Sequence, residues 1–190
     1  MDCIDAILTR RSCRDFLDRP VEAEKLDRIL TCATFAPSPA NKQPWEFIVT
    51  QNPAYNLKLR ESAEAAREYV AERSGWKWIA HYKLDFITQA PVLLVIVGDP
   101  AKNGAEQFLN CPTSGYEHAC AAAAQNICLA AHSLGLGTLW LSFFEKEAAR
   151  ELFHIAPQKD PFAVICLGYP ARESGAPARR GPAEKTTYLV

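Results

Sequence analysis

The sequence predicts an α+β fold, a three-layer α/β/α sandwich in which helices flank a sheet of short strands. Helical and strand-like segments follow one another without the strict strand–helix–strand repeat of a Rossmann domain. No GxGxxG or GxxxxGK[ST] motif is present, which argues against a Rossmann dinucleotide site and a P-loop. With 190 residues, the chain is expected to form one domain over residues 1–190 with a sizeable core.

The first half of the chain is predicted to hold three helices and one strand. Asp2 can cap a short first helix in which Ile4, Ile7 and Leu8 share one face. Further elements are predicted by apolar periodicity, β-propensity and charge pattern. They are a helix over 22–35, a strand over 45–50 and a charged, mostly solvent-facing helix over about 56–73.

The second half begins with an apolar strand over 92–97, followed by a loop-like stretch over 101–115. An alanine-rich helix over 116–134 is predicted to be the most buried of the helices, and Gly135 is a typical residue to end it. A strand over 138–143, a helix over 145–153 and a strand over 162–167 follow. Residues 171–190 have little capacity to form a core, so they are expected to lie along another surface.

Composition excludes several classes of function. Apolar residues make up 48%, charged residues 23%, and the net charge is −1, so no overall field favours nucleic acid or an anionic membrane. The longest apolar run, 91–97, is far shorter than the ~20 residues that cross a bilayer. No secretory leader is expected at the N-terminus. Seven cysteines without a CxxC pair favour reduced, mostly buried thiols in a cytoplasmic protein.

The first candidate site is a cluster of three arginines and a serine within residues 10–14. Such guanidinium groups can bind a phosphate through charge-assisted hydrogen bonds. Alternatively, Arg10 and Arg11 only offset the negative end of the first helix. A second pair, Arg179 and Arg180, lies in the tail and favours phosphate binding, although surface arginines remain an alternative.

The second candidate site is the segment 37–45, in which three prolines restrict the backbone. Ser38, Asn41 and Gln43 offer uncharged donors and acceptors that suit a flat heteroaromatic ring with a urea-like edge. The alternative is a well-built loop that leads into a strand.

The third candidate site is the segment 135–142, which begins with two glycines. Glycine permits close approach of the backbone, and the residues that follow can present backbone N–H groups and the Trp140 indole to a ligand. The alternative is a helix stop followed by a strand.

The order and spacing of these motifs resemble the FMN-dependent nitroreductase family along nearly the whole chain. That family has an RRSxR-like segment after its first helix, a PSxxNxQPW segment, a GLGT-like turn and a basic tail. The matching segments here are 10–14, 37–45, 135–138 and Arg179 with Arg180. The PSxxNxQPW match is the most specific.

The resemblance implies a nitroreductase-like fold with a mainly antiparallel mixed sheet, and a homodimer with FMN at the subunit interface. The C-terminal arm, 171–190, would reach the partner subunit. By position, the residues that would bind FMN are Arg10, Arg11, Ser12, Arg14, Ser38, Pro39, Asn41, Trp140, Leu141, Ser142, Arg179 and Arg180. Arg14 would lie near N1 and O2 of the flavin, a backbone N–H within 140–142 would face N5, and the 38–41 residues would come from the partner.

The resemblance also implies the chemistry. NADH or NADPH would deliver hydride to N5 and leave, and a small electron-poor acceptor such as a nitroaromatic or quinone would enter the same place in a ping-pong cycle. No side chain need act as a nucleophile or general base, because the flavin carries the reaction. Many relatives have Pro-x-Glu-Gly where this chain has residues 140–143, and serine where it has Pro39. These differences bear on substrate preference.

Three other functions are alternatives to this one. A zinc hydrolase is disfavoured because no HExxH motif occurs, and His118 and Cys120 point different ways on a helix. No metal is expected. A thiol redox protein lacks a resolving cysteine at recognisable spacing. A flavin-binding or flavin-handling protein of the same fold, without nitroreductase turnover, stays open as the alternative.

Overall fold

The computed structural model describes residues 1–108 and 114–189 of the chain. In these two ranges the helices and strands are α1 (Cys3–Thr9), α2 (Ala23–Thr34), β1 (Trp45–Thr50), α3 (Pro53–Ser74), α4 (Asp85–Gln89), β2 (Val92–Gly98), α5 (Gly115–Ser133), β3 (Gly137–Leu141), α6 (Lys146–Leu152) and β4 (Asp160–Gly168). None of the helices within them is long and apolar enough to cross a membrane.

The four strands form one sheet with the order β1-β2-β4-β3, and every neighbouring pair is antiparallel. The one parallel pairing among the described residues is an isolated bridge between Ser12 and Thr138. The central strand β2 is buried along its whole length, as its continuous apolar run predicts. β1 and β3 are therefore the two edges of the sheet.

Side chains of β2 alternate between two core layers. Val92, Leu94 and Ile96 pack with α2 and α5 on one face, whereas Leu93 and Val95 pack with α3, α4 and α6 on the other. The two apolar layers enclose the sheet on both faces. The predicted α+β class with a three-layer α/β/α arrangement is thus confirmed.

Most predicted elements are present, with shifted ends. β1 has the predicted bounds, but α3 begins at Pro53 because the Asn52 side chain accepts the Ala54 N–H and proline fits the first helical turn. β3 ends two residues before the predicted 143. The five-residue α4 was not predicted, because it is too short to show a helical period.

The stretch 101–115, predicted to be loop-like, contains short 3-10 turns at Pro100–Lys102 and Gly104–Phe108. Residues 109–113, which include Cys111, lie outside the described residues.

Both ends of the chain expose apolar residues. Asp2 caps α1 as predicted, its side chain accepting the Asp5 N–H at 2.8 Å. Within α1, however, only Ala6 is buried, and the face of Ile4, Ile7 and Leu8 is more than half exposed. Residues 170–189 are all exposed, and Leu189 retains 94% of its accessible area. This is consistent with a tail that has no core of its own; Val190 lies outside the described residues.

A close contact fixes the segment after α1 to the edge of the sheet. The Cys13 N–H donates to the Thr138 carbonyl at 2.8 Å, and Cys13 is buried against the start of β3. A Cβ atom placed on Gly137 would lie 2.7 Å from Cys13 Cβ and 2.8 Å from Cys13 Sγ. Because real Cβ atoms do not approach so closely, only glycine at position 137 permits this contact.

We predict that Gly137→Ala destabilises the fold by about 1–3 kcal/mol, because the added methyl group forces Cys13 away from β3. Chemical denaturation measures the loss. Gly181→Ala is the matched control, since a Cβ at position 181 meets nothing within 4 Å. Equal stabilities of the two variants would contradict the assigned contact.

A polar cluster around Tyr169 joins the end of β4 to the start of α2. The Tyr169 hydroxyl donates to Glu22 at 2.6 Å and accepts from Lys25 Nζ at 2.7 Å, and the Arg19 guanidinium lies 3.8 Å from the Tyr169 ring centroid. The hydrogen bond from Tyr169, with lesser help from Lys25 and Arg19, lowers the pKa of Glu22 from 4.5 to about 2. The Glu22 side chain is 42% exposed, so solvent weakens these interactions.

We predict that this cluster makes folding stability fall in acid. A carboxyl with a lowered pKa contributes stability above pH 4.5, and this contribution disappears as the pH falls towards 2. Glu22→Gln should therefore show a smaller loss of stability over that range than the unmodified protein. Denaturant titrations at several pH values test this, with Glu24→Gln, an exposed acid of the same helix, as control. Parallel pH profiles for Glu22→Gln and the unmodified protein would contradict it.

Candidate active site

The arginine segment runs along the outer edge of β3. Ser12 forms the parallel bridge with Thr138, and the Cys13 N–H bonds to the same residue. Segments 10–14 and 135–142, which are more than 120 residues apart in sequence, are therefore neighbours. The structure thus brings two of the three candidate motifs together within one chain.

A groove of about 820 Å³ opens beside this segment. The residues that line it come from the arginine segment and from the start of the tail: Arg10, Arg11, Ser12, Arg14, Asp15, Arg172, Glu173, Ser174, Gly175, Ala176, Pro177 and Arg179. We call this the arginine groove. It has five guanidinium groups against two carboxylates, so its charge is positive although the chain as a whole is slightly acidic.

Most of this positive charge is free to act on a ligand. Arg172 forms an ion pair with Asp15, and Arg11 donates at 2.8 Å to the carbonyls of Leu8 and Arg10. Among the described side chains, Arg10, Arg14 and Arg179 have no carboxylate oxygen within 4.0 Å. Guanidinium groups without acidic partners favour an anion such as a phosphate.

The edge of β3 beyond Thr138 offers backbone hydrogen-bonding groups. Backbone groups of alternate residues point to opposite sides of a strand. Because the Thr138 carbonyl points outward to Cys13, the Trp140 N–H also points outward, away from β4. The Trp140 ring is half-buried against Phe162, with centroids 6.1 Å apart. Leu141 is buried in the core and, by the same alternation, its backbone groups face β4, whereas Ser142 is exposed.

The loop before β1 has an unusual, rigid backbone. Ala40, Asn41 and Gln43 adopt positive φ angles of 48°, 52° and 47°, a conformation that costs free energy for residues other than glycine. Hydrogen bonds hold it: Ser38 Oγ accepts the Gln43 N–H at 3.1 Å, and Gln43 Nε2 donates to Asn41 Oδ1 at 3.2 Å. The exposed Asn41 and the part-exposed Ser38 and Pro39 are thus presented on a pre-formed turn.

This loop and the arginine groove lie at diagonally opposite corners of the sheet. β1 and β3 are the opposite edges, separated by about 14 Å at ordinary strand spacing. Trp45 begins β1 at the end of the sheet marked by Gly98 and Asp160, whereas Thr138 pairs with Leu167 at the other end, roughly 20 Å away along the strands. One chain therefore does not bring Ser38, Pro39 and Asn41 to Arg10–Arg14.

The tail contributes to the groove in a way that the sequence did not indicate. Arg172 and Ser174 line the groove, and Ser174 Oγ donates to the Ser12 carbonyl at 3.2 Å. Arg179 is among the lining residues, as the basic tail suggests, whereas Arg180 is exposed and is not. Nothing in the local pattern around Arg172 distinguishes it from an ordinary surface arginine, so its role depends on the fold.

A second cavity of about 750 Å³ adjoins the first and contains His132. Thr9 Oγ1 lies 2.8 Å from His132 Nε2, so one ring nitrogen has a hydrogen-bonding partner within the chain. Partial burial lowers the pKa of His132, and the nearby charges of Arg10 and Arg11 lower it further. A change in the charge of the arginine segment should therefore change the pKa of His132.

Cysteine and metal chemistry have little support in the described ranges. The six cysteines there are free, and four are buried. Burial, with nearby acidic groups, raises the pKa of Cys120 to about 12, so its nucleophilic thiolate form is scarce at neutral pH. No group of three His, Cys, Asp or Glu side chains in the described ranges could hold a metal ion.

Comparison with known proteins agrees with the sequence motifs. A sequence model of the nitroreductase family matches residues 7–169. The chain is 36% identical over 179 residues to a protein of Methanothermobacter thermautotrophicus that is provisionally named NADH dehydrogenase/NAD(P)H nitroreductase, with 92% of this chain and 81% of that protein covered. It is 28% identical over 183 residues to a 5,6-dimethylbenzimidazole synthase of Rhodospirillum rubrum, with 93% and 86% covered.

Solved structures support the same relationship. An FMN-dependent nitroreductase from Clostridium difficile superimposes with a TM-score of 0.72 and 27% identity, and the match covers 98% of each chain. The family match spans the described helices α2 to α6, all four described strands and the arginine segment. The chain has the nitroreductase fold and belongs to the nitroreductase family.

Proposed function

We propose that this protein is an FMN-dependent oxidoreductase that transfers electrons from NADH or NADPH to an electron-poor acceptor, such as a nitroaromatic or quinone, by a ping-pong mechanism. The observation that carries the proposal is the position of the arginine groove directly beside the open edge of β3. A phosphate-binding surface and a backbone N–H for a flavin ring are adjacent there.

The residues of the groove fit the chemistry of FMN. Arg10, Arg11 and Ser12 offer charge-assisted and neutral donors to a phosphate and its ribityl chain. Arg14 is a fixed positive charge that would favour the reduced, anionic form of a flavin ring beside it. The outward Trp140 N–H is a donor for a ring nitrogen. Arg179 lines the groove, and Arg180 adds a positive charge next to it in the C-terminal tail.

A homodimer would complete the site. The loop with Ser38, Pro39 and Asn41 is far from the arginine groove of its own chain, so we propose that the partner subunit supplies it. Two exposed surfaces favour such pairing: the apolar face of α1, and the tail 171–190, whose described residues are all exposed. Unpaired cysteines are typical of a reducing compartment and support a cytoplasmic location.

When bound, FMN would supply the redox chemistry, accepting hydride from the nicotinamide and passing electrons to the acceptor. The protein's own residues position and tune it. The arginines would hold the phosphate end, and the Trp140 backbone N–H would fix the ring edge. No described side chain is proposed as a nucleophile or general base.

In a second candidate function, the protein binds FMN but does not catalyse electron transfer from a nicotinamide to a nitroaromatic or quinone. The relationship to a 5,6-dimethylbenzimidazole synthase means that this scaffold is not restricted to nitroreductases. A flavin-binding or flavin-handling protein would share the arginine groove but would not exchange electrons with both a nicotinamide and a nitroaromatic.

We predict that the purified protein is yellow and that its flavin absorbance bleaches when NADH or NADPH is added without oxygen.

We also predict that Arg14→Ala weakens FMN binding by about tenfold to hundredfold, because an ionic hydrogen-bonding partner is lost. The variant should remain folded because Arg14 is exposed. Absorbance spectra measure the bleaching, and FMN titrations measure the loss of affinity. Arg28→Ala, which removes an exposed arginine of α2, is the matched control.

The outcomes separate the two candidates. Flavin absorbance that neither NADH nor NADPH bleaches would favour the flavin-binding alternative. A colourless protein that cannot be reconstituted with FMN would overturn both. Unchanged affinity in Arg14→Ala would show that Arg14 has only a surface role.

We also predict that an anion in the arginine groove raises the pKa of His132. Arg10 and Arg11 help to hold that pKa below its usual value, and a bound phosphate would offset their charge. An NMR titration of the His132 ring with and without FMN tests this. Arg10→Ala should also raise the pKa, whereas Arg28→Ala should not. An unchanged His132 pKa in FMN-saturated protein would argue against phosphate binding at these arginines.

A further inference from the structure

A row of aromatic rings extends from the core to the surface between α3 and α4. The rings of Phe86 and Tyr82 lie 6.2 Å apart, those of Tyr82 and Trp78 lie 5.8 Å apart edge to face, and those of Trp78 and Trp76 are stacked at 5.9 Å. We call these four residues the aromatic row. Phe86 anchors it because it is only 1% exposed.

The outer end of the row is exposed to solvent. Trp76 and Trp78 each retain 57% of their accessible area, although tryptophan is highly buried in most proteins. Their nearly parallel stacking, with 19° between the planes, presents broad indole surface rather than two scattered side chains. A continuous exposed aromatic surface of this kind is typical of a binding site.

The segment that holds the row carries positive charge. Residues 73–86 contain Arg73, Lys77 and Lys83 against one acid, Asp85, which pairs with Arg60 of α3. Arg73 is engaged by Glu72, whereas Lys77 and Lys83 have no carboxylate within 4.0 Å among the described side chains. The row therefore combines a stacking surface with nearby cations, which suits a planar ring that bears a negative charge.

The inner part of the row adjoins the proposed flavin site. The Arg14 guanidinium, which lines the arginine groove, lies 6.0 Å from the Tyr82 ring centroid. The Tyr82 carbonyl accepts from Arg67 of α3 at 3.3 Å, which holds this part of the connection against α3. The row thus begins beside Arg14 and leads outward from the arginine groove to the two tryptophans.

We propose that the aromatic row binds a planar aromatic anion next to the flavin. This inference rests on the proposed function and specifies its substrate class. Two ligands have the required chemistry: an electron acceptor that carries a carboxylate, and the adenine diphosphate portion of the nicotinamide donor. In both, the ring stacks on Trp76 and Trp78 and the negative charge lies near Lys77.

The experiment uses the FMN-loaded protein with three probes: 4-nitrobenzoate, its neutral analogue nitrobenzene, and ADP. Calorimetry measures their Kd values, and steady-state kinetics give KM for 4-nitrobenzoate and NADH. We predict that the double variant Trp76→Ala with Trp78→Ala raises the Kd for at least one anionic probe by roughly tenfold, because a stacking surface is lost. Replacing both residues with Phe should restore binding.

Matched measurements exclude indirect effects. Tyr69→Ala removes an exposed aromatic residue of similar accessibility, 58%, that is outside the row, and it should leave every Kd unchanged. FMN content, thermal unfolding and elution volume are compared for each variant.

The outcomes are distinct. Loss of 4-nitrobenzoate binding supports the acceptor as ligand, and loss of ADP binding with a raised KM for NADH supports the donor. Unchanged affinities in a double variant that retains FMN would overturn this inference and leave the proposed function intact, as would equal binding of nitrobenzene and 4-nitrobenzoate by the unmodified protein. A double variant that elutes as a smaller species would show that the row is a subunit contact. Failure of the unmodified protein to bind FMN would overturn the proposed function itself.

Discussion

The contact between residues 10–14 and β3 is the constraint on which the candidate site depends. The Cys13 N–H holds the arginine segment to Thr138, and the absence of a side chain at Gly137 leaves room for it. The same end of the sheet has another tight contact, where a Cβ on Gly168 would lie 2.5 Å from Pro91 Cδ. This crowding fixes the backbone that presents the guanidinium groups, so the backbone of the arginine segment needs little further ordering when a ligand binds.

The positive character of the groove depends on the distribution of charge rather than on its total. The net charge is only −1, and many acids are engaged elsewhere, such as Glu22 with Tyr169, Glu64 with Arg60 and Asp160 with Lys146. The arginines that line the groove have fewer such partners. A local field of this kind would favour an anionic ligand without attracting polyanions to the protein as a whole.

Sequence reasoning predicted the layers and most elements because they depend on local patterns. The continuous apolar run of β2 and the Asp2 cap of α1 needed no tertiary information. Sequence reasoning missed α4, which is shorter than two helical turns. It also missed the early start of α3, although Asn52 and Pro53 are typical residues at the start of a helix. For the site, residue order suggested three motifs. Residue order could not show that two of these motifs meet at Gly137, or that Arg172 and the Tyr82 ring lie nearby, since those contacts join residues far apart in sequence.

The diagonal placement of the arginine groove and the Ser38–Asn41 turn has a thermodynamic consequence for the proposed dimer. Each chain then carries two half-sites, and neither half is complete alone. Binding of the cofactor and association of the subunits must strengthen each other by the same factor. Dilution would release flavin, and flavin would hold the subunits together. Consider a mixed dimer in which one chain has substituted arginines and the other has a substituted turn. It would contain one intact site and one site that is damaged in both halves.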